Sequence, residues 1–285
     1  MSGGRGRLAA LDEGRAFVDL SSWWKVGVTG ADAAGWLNDL LTAELDGITA
    51  GEMRRSMLLT PNGKIRAVVG VVALEGGFLL VQDPIQPTRI DEFLAPYVLS
   101  SDVRVSDRTG ELAILAMPAT TDPDTNQPSF SPSVLGPGID VIAPAGSARA
   151  AASLDEARLE DVDAWRVRRG IARFGVDLTS DSLPHEVELG DMIAHAKGCF
   201  LGQESVARVR NLGRPPFVLL AADSEGPVEA GDLVSAEDRE AGIITSASSG
   251  DGIAVIARVR WALKDASLRT ASGVELLVRG LASAA

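Results

Sequence analysis

The chain has 285 residues, 46% of them hydrophobic, enough to bury a sizeable core, and the length sets an expectation of about two domains. A net charge of −12 argues against a general nucleic-acid binder, because neutralising phosphates takes clustered positive charge. The single cysteine, Cys199, excludes an intramolecular disulfide and leaves a Cys-based zinc or iron–sulfur site short of ligands. No stretch reaches the roughly 18 uncharged apolar residues of a membrane span, and the N-terminus has no secretory apolar run, so a soluble cytoplasmic protein is expected.

The first clear element is a helix. Between residues 31 and 45, Trp36, Leu37, Leu40, Leu41 and Leu45 recur at spacings of three and four, behind Thr29 and Asp32 as candidate caps. Met53 to Leu59 and Ile65 to Leu74 are β-rich runs on either side of Thr60-Pro-Asn-Gly63, and Asn-Gly in that setting predicts a hairpin. Gly77 to Val81 reads as a further strand and Thr88 to Leu99 as a helix; Val103 to Asp107 and Leu112 to Met117 read as strands. This order predicts an α+β chain and not a doubly wound parallel sheet.

Residues 118–138 hold five of the 14 prolines and read as a loop or a connection between lobes. Leu154 to Ala172 has helical character around Trp165, Arg173 to Leu178 reads as short and extended, and Asp181 to Asp191 as an acidic solvated loop. From Pro215-Pro216 onward, short strands follow one another with glycines between them: Phe217 to Ala222, Asp232 to Ala236, Ala241 to Ser246, Ile253 to Trp261 and Val274 to Arg279. They predict a small antiparallel barrel or sandwich over 215–285, set apart from a two-lobed region over 1–214.

Although the chain is acidic, its cations gather in three places: Arg54, Arg55, Lys64 and Arg66; Arg166, Arg168, Arg169 and Arg173; and Arg208, Arg210 and Arg214. Each is a candidate anion site, to be weighed against solvated arginines on helix faces. Gly63-Lys64 lacks the remaining residues of a phosphate loop and fits a hairpin turn better. His185 and His195, ten residues apart, do not have the spacing of metal ligands on one helix, so no metal site is expected. Trp23-Trp24 offers either a stacking platform or a piece of core.

The chemistry concentrates in Lys197-Gly-Cys-Phe-Leu-Gly-Gln-Glu204. A cysteine beside a cation and near a helix N-terminus gains thiolate character, so Cys199 is a candidate reactive thiol. The alternative is a small buried apolar side chain. Both readings stand on the residues alone.

Lys197, Gly198, Cys199, Phe200, Gly202, Gln203 and Glu204 match the pattern Lys-Gly-Cys-aromatic-x-Gly-Gln-Glu, and with it the chain resembles the YgfZ-type folate-binding proteins of the glycine-cleavage T-protein (aminomethyltransferase) superfamily. Pro184-His-Glu186 and Val206 to Pro216 flank the match in keeping with that family. Gly30-Ala-Asp32, the hairpin over Leu58 to Arg66, Arg169 to Asp177, and Ala241 to Ser246 extend the resemblance in order along the chain. It implies a multi-lobed T-protein-like fold, with antiparallel sheets and helices around a central cleft and a small C-terminal β-barrel. It also implies tetrahydrofolate as ligand and a role in maintaining iron–sulfur enzymes or in tRNA thiomodification. Lys64, Arg66, Arg168 and Arg173 are the expected holders of the ligand's anionic tail.

Two departures narrow this expectation. The aminomethyltransferases place a catalytic aspartate just after the hairpin, where this chain has Gly63-Lys-Ile-Arg-Ala-Val68 and no carboxylate, so glycine-cleavage activity is not expected. Arg168 stands where the superfamily carries a glutamate that grips the pterin ring, and a guanidinium cannot accept the pterin's N–H donors. The alternative function is a folate-dependent one-carbon transferase that uses Cys199.

Overall fold

The computed structural model describes residues 4–122, 126–150, 152–248 and 252–284. They fall into two compact units built from interleaved segments. The first comprises Met1–Leu59, Arg66–Val162 and Asp191–Leu201; the second comprises Thr60–Ile65, Asp163–Gly190 and Gly202–Ala285.

In the first unit α1 (Gly4–Asp12), β1 (Ala16–Asp19), β2 (Trp24–Thr29) and α2 (Ala33–Leu40) are followed by β3 (Met53–Leu59), β4 (Ile65–Leu74) and β5 (Gly77–Gln82). Then come α3 (Ile90–Leu94), β6 (Arg104–Asp107), β7 (Leu112–Pro118), β8 (Ser129–Phe130), β9 (Gly138–Pro144) and β10 (Asp155–Ala157). The strands form two five-stranded sheets, in the orders β3-β4-β5-β2-β6 and β10-β1-β7-β9-β8. β2 is antiparallel to β5 and β6, while β1 runs parallel to β10 and antiparallel to β7. The apolar stripe Ala33, Trp36, Leu37 and Leu40 turns α2 onto the first sheet, where Val26, Leu58, Ala67, Val69 and Leu80 complete a shared core.

Three sequence expectations change here for identifiable reasons. α2 ends at Leu40, not near Leu45, because Leu41 is extended, bridges to Leu58, and is followed by Thr42, whose N–H donates to Met57 O at 3.0 Å. Leu41 and Leu45 are still buried, which is why the apolar spacing of the sequence runs on past the end of the helix. The helix expected over 88–99 is α3 followed by a 3₁₀ segment, Ala95–Ser100, with Pro96 at the changeover, where the ring lacks a donor and crowds the preceding turn. The candidate cap Asp32 does occupy the N-cap of α2, but its carboxylate accepts from the Asp102 N–H at 2.7 Å instead of from the helix.

The chain enters the second unit within α4 (Leu159–Arg168), then forms β11 (Ile171–Ala172) and α5 (Gln203–Leu212). β12 (Phe217–Ser224), β13 (Leu233–Ala236), β14 (Arg239–Ala247), β15 (Ile253–Arg260), β16 (Leu268–Thr270) and β17 (Glu275–Leu281) close into a barrel in the order β12-β15-β14-β13-β16-β17. A final strand, β18 (Ser283–Ala284), lies parallel to β11. Val218, Leu220 and Ala222 from β12 alternate inward with Val255, Ala257 and Val259 from β15, so the period of two in the sequence fills the barrel. Closure leaves no unpaired sheet edge. The chain is α+β, as the element order predicts.

Arg173 to Leu178, expected to be extended, is instead a turn: the N–H groups of Val176 and Asp177 both donate to Arg173 O, at 3.2 and 2.9 Å. The acidic stretch 181–191 is only partly solvated, since Ser182, Pro184, Glu186 and Val187 are buried. No helix among the described residues is long and apolar enough to cross a membrane.

Asp140 on β9 is fully buried, and its Oδ2 accepts the Val134 N–H at 2.9 Å. Burial pushes this carboxyl up to about 7, against the pull of Ser133, the Val134 and Met117 amides, and Arg55. Between the ordinary carboxylate range and about 7 the native chain therefore keeps a proton that the unfolded chain has released. The group's contribution to stability falls as pH rises through that window and is flat above it. In urea unfolding followed from pH 5 to pH 8, the wild type should gain stability relative to Asp140→Asn as the pH is lowered. A difference independent of pH would refute the assignment.

Candidate functional site

The segment 191–201 has almost no regular structure and is held to the first unit by the residues around the end of α2. Thr42 Oγ1 donates to Met192 O at 2.7 Å, and its carbonyl accepts the Ala194 N–H at 2.9 Å. Lys197 Nζ donates to Asn38 O, Leu41 O and Ala43 O at 2.7, 2.6 and 2.6 Å, with Asn38 Oδ1 at 3.2 Å. Phe200 is buried, with its ring centroid 5.3 Å from that ammonium, and the Leu201 N–H reaches Asp39 O at 3.1 Å. Burial lowers the Lys197 pKa to about 8, opposed by the carboxylates of Glu44, Asp39 and Asp46, so the side chain is still an ammonium at pH 7.

Between these anchors Gly198 and Cys199 are exposed. The buried-hydrophobe reading of Cys199 is thereby set aside. The hydrogen bonds of the nearby Lys197 all go to the main chain and to Asn38.

The rest of the signature belongs to the second unit. Gly202 takes a left-handed conformation with φ 83° at the N-cap of α5, and Gln203 and Glu204 open the helix. Ser205 Oγ donates to Pro61 O at 3.3 Å, which ties α5 to the turn of the predicted hairpin. That turn requires its glycine: Gly63 has φ +77°, and a Cβ there would meet the Ser205 Cβ at 2.6 Å. Lys64, next in the turn, is half exposed and pairs with the exposed Asp181 at 2.7 Å.

Several cations of the first two predicted groups have partners of their own. Arg55 points inward, donating to Ser133 O at 3.2 Å, and burial depresses its pKa below the ordinary value. Arg66 lays its guanidinium over the Phe93 ring, 4.6 Å from the centroid, and makes no ion pair among the described residues. Arg166 is buried at 5% exposure, giving NH1 to Asp177 at 2.7 Å, NH2 to Ser246 Oγ at 2.9 Å and Nε to Asp163 at 2.7 Å. Arg173 NH1 lies 3.7 Å from Asp163, and Arg168, at the end of α4, accepts Arg279 NH1 on its carbonyl at 2.6 Å. Arg208, Arg210 and Arg214 are exposed on and just beyond α5. Trp24, half buried, carries the Arg89 guanidinium 5.8 Å from its ring centroid.

Two carboxylates went unrecognised in the sequence. Asp177 is 1% exposed and accepts from Thr245, Ser246, Arg166 and the Arg173 N–H. Glu186 is fully buried and holds Arg258 Nε at 2.9 Å, while the Arg258 guanidinium stacks 4.0 Å from the Phe217 centroid. Both partner arginines lie far along the chain from their acids or hidden within a basic run, so nothing local marks the pairs.

A crystal structure of the glycine cleavage system aminomethyltransferase T from Bartonella henselae matches with a TM-score of 0.77 at 19% identity, over 95% of this chain and 87% of that one. The chain has the T-protein fold. A candidate transferase of the Arabidopsis thaliana chloroplast is 24% identical over 279 residues, which cover 85% of this chain. The match takes in 64% of the plant protein, so the chain spans less than two thirds of that relative's length. An uncharacterised Haemophilus influenzae protein is 25% identical over 260 residues, 83% of this chain and 86% of its own. No protein-family model matches.

Within this T-protein fold Asp177 is expected to matter for stability before chemistry. Asp177→Ala would leave the buried Arg166 with only the half-exposed Asp163 as counter-charge and strand the Thr245 and Ser246 hydroxyls, and should cost about 3–5 kcal/mol of unfolding free energy, measured by urea titration. A loss under about 1 kcal/mol, the level of an exposed pair, would show that the network is dispensable.

Proposed function

We propose that this protein binds a tetrahydrofolate-type ligand and supports iron–sulfur enzymes or tRNA thiomodification, without catalysing glycine cleavage. The observation that carries the reading is the T-protein fold over nearly the whole chain combined with the signature Lys197 to Glu204. Bound tetrahydrofolate would supply the nitrogen atoms that carry a one-carbon unit. Among this chain's own residues Arg66 fits the ligand's anionic tail best: it is half buried, fixed on the Phe93 ring, and without an ion-pair partner among the described residues. Lys64 fits less well because Asp181 already neutralises it, and Arg173 is near Asp163.

The stretch after the hairpin supports the loss of aminomethyl transfer. No carboxylate stands anywhere in Gly63 to Val68, the stretch in which the aminomethyltransferases bring an aspartate; Ala67 and Val68 within it are buried, at 0% and 8% exposure, and neither can take or give a proton. A second reading, a one-carbon transferase with Cys199 as nucleophile, draws on the exposure of that thiol and on the plant relative's description as a candidate transferase.

Calorimetric titration with tetrahydrofolate should show saturable binding, weakened at least tenfold in Arg66→Ala, with no aminomethyl transfer from a glycine-cleavage carrier. No heat at millimolar ligand would overturn the folate reading. Turnover that disappears in Cys199→Ser while affinity is unchanged would favour the transferase.

A further inference from the structure

The lysine of the signature has no obvious chemical task, and its contacts point to a mechanical one. We infer that Lys197 is a positioning residue, an ammonium clamp that caps the end of α2 from a distant segment and so sets where the Cys199 thiol stands. A helix leaves its last four carbonyls without helical partners. In α2 the Leu37 carbonyl is met by the Leu41 N–H, and the next two are met by segment 191–201: Asn38 O by Lys197 Nζ and Asp39 O by the Leu201 N–H.

A cation suits this place because the C-terminal end of a helix carries partial negative charge, and Asp39, Glu44 and Asp46 add to it. An ammonium has three donors, and here three carbonyls, from Asn38, Leu41 and Ala43, converge on it at hydrogen-bond distance. A lysine placed to grip a ligand's carboxylate or phosphate would need a donor left over. Cys199 lies two residues beyond the clamp and directly before the buried Phe200, so it is exposed between two fixed points.

The planar guanidinium of arginine cannot direct three donors into acceptors arranged around a point charge. Lys197→Arg should therefore fail to replace the native residue even though it keeps the charge.

The test is hydrogen exchange read amide by amide. In Lys197→Met the Ala194 and Leu201 amides should exchange at least tenfold faster than in the wild type while barrel amides such as that of Ile256 are unchanged, and Lys197→Arg should behave in the same way. In the wild type the Lys197 ammonium protons should be visible at pH 6 by 15N-resolved spectroscopy, protected from solvent. Unchanged Leu201 exchange in the variants, or ammonium protons that exchange as fast as those of a free lysine, would overturn the clamp. If Lys197→Met does not fold, the arginine variant and the wild-type ammonium signal decide.

The link to ligand binding rests on the folate reading. Weaker tetrahydrofolate binding in a loosened variant would tie the clamp to the site, whereas no binding by the wild type would sink the folate reading and leave the exchange results to judge the clamp alone.

Discussion

The Asp177 carboxylate organises the second unit. It sits in the turn after β11, and its two oxygens collect hydrogen bonds from four donors: the side chains of Thr245 and Ser246 on β14, the guanidinium of Arg166 on α4, and the N–H of Arg173 in its own turn. Burying an ionised carboxylate is tolerable only when its lone pairs are met this fully. Arg166 in turn reaches Ile171 O as well as Asp163 and Ser246. Helix, turn and barrel strand are thus joined by one network of hydrogen bonds around a buried charge. The cations that the sequence offered as an anion site include this one, already committed to holding the fold.

The same kind of arrangement recurs in both units. Glu186 holds Arg258 against Phe217 in the second unit, and Lys197 gathers main-chain carbonyls in the first. In each case a charged residue that looks available in the sequence is enclosed by partners. By contrast, the Cys199 thiol is exposed and the Arg66 guanidinium lies half buried on the Phe93 ring.

Patterns that depend on neighbours in the chain were legible before the structure. The hairpin at Asn62-Gly63, the inward alternation of the barrel strands and the α+β order follow from local spacing and turn chemistry. Long-range competition for hydrogen bonds was not legible. The end of α2 is set by β3, which takes the donor of Thr42, and the turn at 173–178 by a carboxylate whose partners lie some 70 residues away at Thr245 and Ser246. β16, only three residues long, left no pattern to read. At the candidate site the sequence located the segment but not the direction of its lysine, because nothing in Lys-Gly-Cys tells whether an ammonium faces solvent or a helix end.

Ala67 and Val68 show what this part of the fold will accept. They lie in β4, a strand buried along nearly its whole length, and Ala67 belongs to the core that α2 covers. A carboxyl placed at Ala67 would enter that apolar core and would stay protonated or disrupt the packing. An acid working at this point of the strand would first need the sheet opened to water.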